Sequence, residues 1–117
     1  TTGQRVDAIS ALRAAIRALP NEQPLQRSLA GLLATTPQAG ARAKQEAIQL
    51  AQECCQADTD DPENFGVLGI AYAAAGDFDS AIIAARRAVS LARSHGKTAL
   101  ADNIALQLKA YEQGRSR

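Results

Sequence analysis

Apolar residues recur every three or four positions along most of the chain, the spacing that places side chains on one face of an α-helix. The first stripe consists of Ile9, Leu12, Ile16 and Leu19, and the last consists of Leu100, Ile104, Leu108 and Tyr111. Between these two stripes, similar patterns are interrupted by segments that contain Gly and Pro. The pattern predicts an all-α chain of about six helices.

Capping residues mark where several of these helices begin and end. Asp61-Pro62-Glu63 supplies an N-cap acceptor, a proline for the first helical position and an acid near the positive helix end. Gly76-Asp77 is expected to end one helix and cap the next, and Gly96 follows a basic last turn as a C-terminal glycine does. The segment 35–40 contains Pro37 and Gly40 and separates two further helices.

The chain also contains an internal repeat. An Ala-Ile pair, with small residues four and seven positions after the alanine, occurs at Ala47 and again 34 residues later at Ala81. The pair Ala8-Ile9 begins a similar pattern. Leu29 follows Ala8 by 21 residues, and Leu68 follows Ala47 by the same 21. Because each such helix is followed by another at a constant distance, the repeating unit is predicted to be a helix pair.

In residues 61–95 this unit resembles the tetratricopeptide repeat family. The matching motif reads Phe65-x-x-Leu68-Gly69-x-x-Tyr72, then Gly76-Asp77-Phe78, then Ala81-x-x-x-Ala85-x-x-Ala88. Phe65 stands in the family's usual Trp position, whereas Ala85 and Arg93 replace the aromatic residue and the proline that are common there. The small residues Gly69 and Ala81 predict a close crossing of the two helices in this pair.

The resemblance implies a right-handed superhelix of antiparallel helix pairs within a single domain. Residues 1–20 would be a lone second helix of a repeat, and residues 24–57 a degenerate repeat with five additional residues in its turn. Residues 61–95 would be a well-matched repeat and residues 97–113 a capping helix. The chain is therefore expected to be the C-terminal fragment of a repeat array.

Composition and charge narrow the expected partners. Alanine accounts for 26 of the 117 residues and only four residues are aromatic, so the helices are expected to approach closely. The net charge of +1 lacks the basic excess that accompanies nucleic-acid binding. No apolar run approaches the roughly 18 residues of a membrane span, so no membrane insertion is expected. The adjacent Cys54 and Cys55 form no disulfide framework, which favours a cytoplasmic location.

Few side chains are candidates for catalysis or for holding a cofactor. His95 is the only histidine and stands at a predicted helix end, where its ring could bond the terminal carbonyls. Cys54 is expected to be buried and Cys55 to point outward, and together they supply too few ligands for zinc. The acidic segment 58–61 lacks the glycine and the closing Glu of a calcium loop. Arg86-Arg87 could touch phosphate, but the sequence shows no aromatic platform beside it. We predict no catalysis, no metal and no cofactor.

The resemblance implies a protein–protein interaction scaffold, in which a peptide or helix of a partner protein lies in the groove lined by the first helix of each pair. The matching groove positions are Arg27, Gly31, Ala34, Thr35, Gly66, Ile70, Ala73 and Ala74. They lack the Lys and Asn side chains with which some family members clamp a peptide carboxylate, and they suit an apolar or helical ligand. Alternatively, the capping helix packs over this surface and nothing else binds there.

A homo-oligomerisation module is the alternative function. The sequence includes no helix before the first one, so part of the first apolar stripe is expected to remain exposed. Exposed patches of this kind usually find a partner, so residues 1–20 are expected to self-associate. The first helices could pair about a two-fold axis or be exchanged between two copies, and exchange is a low-cost route to dimers. The residues expected to form a homodimer are Ile9, Leu12 and Ile16.

Overall fold

The computed structural model of the chain describes residues 2–116, which form six α-helices and no β-strand. The helices are α1 (Thr2–Ala18), α2 (Gln23–Thr35), α3 (Ala41–Ala57), α4 (Pro62–Ala74), α5 (Phe78–Ser94) and α6 (Thr98–Arg115). A short 3-10 turn, Pro37–Ala39, lies between α2 and α3. The all-α prediction and the predicted number of helices are therefore confirmed.

The predicted caps of α4 and α5 are also confirmed. The Asp61 carboxylate accepts a hydrogen bond from the Glu63 N–H at 2.9 Å, and the Asp77 carboxylate accepts one from the Ser80 N–H at 3.1 Å. Gly76, just before Asp77, has a φ of +83°, which residues with a side chain rarely adopt. The hydrogen bonds from Ser80 hold the pKa of the Asp77 carboxyl below its usual range. Local sequence thus determines where α4 ends and α5 begins.

Each helix packs against the next one along the chain, and α2 also packs against α4. Helices α4 and α5 run antiparallel: Phe65 near the start of α4 lies beside Arg87 in the second half of α5. The predicted close crossing of α4 and α5 is confirmed. A Cβ added to Gly69 would lie 3.4 Å from the Ala81 carbonyl oxygen and 3.7 Å from the Ala85 nitrogen. A side chain longer than a methyl group would therefore have to displace the α5 backbone at this point.

The core consists of three clusters in which alanine is the commonest residue. The first joins α1 to α4 and contains Ile9, Leu29, Leu33, Ala34, Ala43, Ala47 and Ala71. The second contains Ala30, Ala51, Cys55, Leu68 and Ala84, and the third contains Ala85, Ala88 and Ile104. The second and third clusters both involve α5, so α5 packs against α4 on one side and α6 on the other. The small side chains let the helices approach closely.

The expectation that Cys55 points outward is wrong. Cys54 is 1% exposed and Cys55 is 7% exposed, and both thiols are free. Because α3 packs against both α2 and α4, its buried surface is wider than the single stripe that the sequence indicates. Burial raises the pKa of the Cys55 thiol to about 12 and also raises the pKa of Cys54. Both thiols are therefore protonated and poorly reactive at neutral pH.

The stripe predicted for α1 is covered over most of its length but not at its end. Ile9 is only 8% exposed, and Leu12 and Ile16 pack against the first core cluster, whereas Leu19 is 55% exposed. Arg13 reaches α3, where its guanidinium donates to the two Glu46 carboxylate oxygens at 2.5 and 2.9 Å. Because α1 contacts elements beyond α2, most of its stripe is covered within a single chain. None of the helices in residues 2–116 is both long and apolar enough to cross a membrane.

Candidate functional site

A cavity of about 220 Å³ lies between α2, α4 and α6. We refer to it as the inner groove, and it is lined by Arg27, Glu63, Gly66, Val67, Ile70, Leu100, Asn103, Ile104 and Gln107. The apolar side chains of this surface come from α4 and α6, and the polar side chains come from all three helices. The lining therefore combines apolar groups with groups that can form hydrogen bonds.

Helix α6 closes part of the inner groove. A Cβ added to Gly66 would lie 3.4 Å from Ile104 Cδ1, so the side chain of Ile104 rests directly over this glycine. Gly66 is buried as a result, whereas Ile70, one turn further along α4, is half-buried. The capping helix predicted from the sequence therefore borders the groove and covers one end of it, and the cavity remains beside it.

The structure brings together three of the eight predicted groove residues, which are Arg27, Gly66 and Ile70. Of the others, Gly31 and Ala73 are half-buried and lie outside the cavity lining. Ala74 packs against the first core cluster. The Arg5 guanidinium of α1 donates to the carbonyl oxygen of the exposed Thr35 at 2.6 Å.

The prediction that Ala34 faces the groove is wrong. It is 8% exposed and belongs to the first core cluster, together with Ile9 of α1. The prediction came from the family motif, in which the first helix of each repeat has one face open to the groove. Here α1 packs against α2, so the last turn of α2 is enclosed on the side where a groove was expected.

Arg27 is held at the edge of the inner groove by two carboxylates. Its guanidinium lies 3.1 Å from Asp61 Oδ2 and 2.8 Å from Glu63 Oε2. The same side chain donates to the Asn64 amide oxygen at 3.1 Å. These two carboxylates outweigh the single Arg27 charge, so the groove offers little attraction to a free acid. They also fix α2 against the first turn of α4.

Asn64 is fully buried and lies at the centre of this polar network. Its amide nitrogen donates to the carbonyl oxygens of Cys54 at 3.1 Å and Asp58 at 3.4 Å, and to Gln23 Oε1 at 3.3 Å. Within residues 2–116, every buried side-chain nitrogen and oxygen has a hydrogen-bond partner. The sequence analysis missed Asn64. Its only signal is an amide side chain on a helix turn next to the capping motif.

A second cavity, of about 360 Å³, lies on another side of α4 and is lined by α4 and α5. We refer to it as the outer cavity, and its lining residues are Phe65, Leu68, Tyr72, Ser80, Ile83, Ala84 and Arg87. The Arg87 guanidinium carbon lies 5.9 Å from the centre of the Phe65 ring. This contact corrects the expectation that no aromatic residue accompanies Arg86-Arg87.

The candidate catalytic residue His95 has a different environment from the one predicted. The His95 ring does not bond the helix-terminal carbonyls as predicted, because its Nε2 lies 3.1 Å from Asp60 Oδ2. The backbone N–H of His95 donates to the Leu91 carbonyl oxygen at 3.0 Å instead. Among the residues that the structure describes, no group of three or more His, Cys, Asp or Glu side chains could hold a metal ion.

No protein-family model matches the chain, and no curated protein or solved structure matches it either. The resemblance to tetratricopeptide repeats therefore rests on the motif in residues 61–95. Any functional conclusion has to come from the inner groove and the outer cavity described above. Of these, the inner groove contains the predicted binding residues Arg27, Gly66 and Ile70.

Proposed function

We propose that this chain is a scaffold of the tetratricopeptide-repeat type that binds an apolar, helical segment of a partner protein in the inner groove. The composition of the groove carries the proposal. Val67, Ile70 and Leu100 provide apolar side chains, and Asn103 and Gln107 provide uncharged polar groups in the same lining. Protein interfaces likewise combine apolar contact with hydrogen-bonding groups.

The proposed architecture is a right-handed superhelix in which the first helix of each pair lines the inner groove. Two observations support it. Helix α2 packs against both its own partner α3 and the next first helix, α4. The groove is lined by α2, α4 and α6, which alternate along the chain as the first helices of successive repeats do.

The groove favours an apolar ligand over a charged one. Its single cationic side chain, Arg27, is already paired with Asp61 and Glu63. A ligand carboxylate would have to displace one of these acids from Arg27. Because one ion pair would replace another, the gain in binding free energy would be close to zero. By contrast, a leucine or isoleucine side chain placed over Ile70 would bury its apolar surface away from water. It would not have to break any ion pair of the groove. The proposed activity is binding alone.

Selection from a displayed library of short helical peptides tests the proposal. We expect enriched peptides to carry apolar residues on one face and to bind the wild-type chain in calorimetry.

Asn103→Trp should fill the groove and weaken that binding at least about tenfold. Lys109→Trp is the matched control, because Lys109 is exposed on the same helix outside the groove lining. Equal binding by both variants, or a lack of enriched peptides, would contradict the proposal.

A further inference from the structure

We propose that the chain pairs with a second copy of itself through α5, with the two α5 helices antiparallel and centred on Ile83. The surface concerned consists of Asp79, Ile83 and Arg87, which we refer to as the α5 stripe. These residues are four positions apart, so they lie on the same face of the helix. All three are exposed. This pairing differs from the one predicted through α1, where Ile9, Leu12 and Ile16 pack into the core of the same chain.

The apolar part of the α5 stripe is suited to a two-fold interface. Ile83 is 70% exposed and stands at the edge of the outer cavity, whose other walls include Phe65, Leu68 and Tyr72. A projecting side chain and an open apolar cavity therefore lie side by side on one surface. A copy related by a two-fold axis can insert its Ile83 into this cavity and accept the first chain's Ile83 in return.

The charges of the α5 stripe are self-complementary in only one orientation. If the helices pair antiparallel about Ile83, Asp79 of each chain lies opposite Arg87 of the other, which gives two attractive contacts. If they pair parallel, Asp79 lies opposite Asp79 and Arg87 opposite Arg87, which gives two repulsive ones. Charge patterns of this type determine register and orientation between paired helices. The α5 stripe carries both the acid and the base that such a pairing needs. A second copy of the chain is therefore favoured over an unrelated helix as its partner.

Contacts within the chain leave the charged ends of the stripe available. Asp79 lies 3.6 Å from Arg115, but the Asp79 side chain is 78% exposed and the Arg115 side chain 49% exposed. Arg87 lies over Phe65 at the edge of the same outer cavity and remains exposed. Pairing through one helix and the adjacent cavity buries less than the roughly 1,200 Å² of a standard interface, so we expect a weak dimer.

Sedimentation equilibrium from low micromolar to millimolar concentration tests this pairing. We expect the wild-type chain to dimerise reversibly, and Ile83→Glu to weaken dimerisation at least about tenfold. Leu106→Glu is the matched control, because Leu106 is 69% exposed on α6, away from the outer cavity. A monomeric wild-type chain over the whole range, or equal dimerisation of Ile83→Glu, would overturn the proposal. An unchanged melting temperature for Ile83→Glu will show that the fold is retained.

Charge reversal tests the orientation. In a homodimer, Asp79→Arg alone brings two arginines opposite each other and Arg87→Asp alone brings two acids opposite each other, so each single variant should dimerise at least about tenfold more weakly. Mixing the two variants should restore association as a heterodimer, because one chain then presents only basic ends and the other only acidic ends. Failure of the mixture to associate would overturn the antiparallel pairing.

Self-pairing and partner binding are independent of each other. On α4, Phe65, Leu68 and Tyr72 line the outer cavity, whereas Gly66, Val67 and Ile70 line the inner groove on another face. Ile83→Glu should therefore leave peptide binding unchanged, and Asn103→Trp should leave dimerisation unchanged. A loss of both properties in either variant would indicate a damaged fold.

Discussion

The α4–α5 pair and the α2–α3 pair have the same order of helices but are stabilised in different ways. In the α4–α5 pair, Asp61 and Asp77 cap the helices, and Gly69 allows close backbone contact. In the α2–α3 pair, the N-cap residues are Glu22 and Gly40, and neither makes a side-chain capping bond. The α4–α5 pair is therefore specified largely by residues within it.

The α2–α3 pair is held instead by residues of α1 and α4. Arg13 of α1 binds Glu46 of α3, and Asn64 of α4 binds groups on both α2 and the end of α3. Ile9 adds apolar contact in the first core cluster. We infer that α2–α3 depends on its neighbours, whereas α4–α5 is closer to a self-sufficient unit. Three substitutions test this difference.

The largest effect is expected for Asn64→Leu. The substitution removes hydrogen bonds to Gln23, Arg27 and two backbone carbonyls, and it leaves the carbonyl of the buried Cys54 without this donor. We expect a loss of about 3 kcal/mol in the free energy of unfolding. Urea unfolding measures the loss, and hydrogen exchange should show faster opening of α2 and the end of α3 than of α5. Asn103→Leu, at an exposed asparagine, should have little effect.

Equal acceleration of exchange in α5 would contradict the proposed difference between the pairs, because it would mean that the whole chain opens as one unit. A retained stability would show that the Asn64 hydrogen bonds are replaced by water.

A medium effect is expected for Gly69→Leu. The added side chain has to displace the α5 backbone at Ala81 or the Tyr111 ring, since a Cβ at Gly69 would already lie 3.5 Å from that ring. We expect destabilisation by about 2 kcal/mol. Gly31→Leu is the matched control in α2, since a Cβ at Gly31 meets no atom within 4 Å. That variant should keep its stability or gain slightly from better helix propensity. Similar melting temperatures for the two variants would argue against a crossing that requires a small residue.

The smallest effect is expected for Asp77→Ala, which removes the α5 cap and should lower the melting temperature at neutral pH. Glu22→Ala should not, because Glu22 makes no capping bond. The folded pKa of Asp77 is depressed, so its stabilisation is complete above the unfolded pKa near 4 and is lost as pH falls through the folded pKa. Thermal unfolding of the wild-type chain and Asp77→Ala at several pH values should therefore show the two curves converging in acid. A difference that persists unchanged in acid would contradict the role of the ionised carboxylate.

The parts of the fold that could be predicted from the sequence depend on near neighbours in the chain. A capping aspartate acts on an N–H two or three residues away, and a glycine with positive φ acts at its own position. The apolar spacing of α1 and α6 likewise identifies helices whatever they pack against. For the candidate site, three of the predicted groove residues, Arg27, Gly66 and Ile70, line one cavity.

The residues that were placed wrongly are those whose environment depends on distant elements. Cys55 is buried because α2 and α4 both cover α3, and Ala34 is buried because α1 packs against α2. His95 faces Asp60, which precedes it by 35 residues. In none of these cases does the local pattern indicate which helix will lie alongside.

Local sequence specifies the six helices, the capped starts of α4 and α5, and the crossing of these two helices where Gly69 leaves room. Those features follow from helix-type apolar spacing, hydrogen-bond capping and side-chain size. Which faces stay open depends on tertiary packing. Burial of a face depends on the summed contacts of several helices, so the inner groove beside Ile104 and the exposed Ile83 beside the outer cavity became visible only when α4, α5 and α6 were placed together.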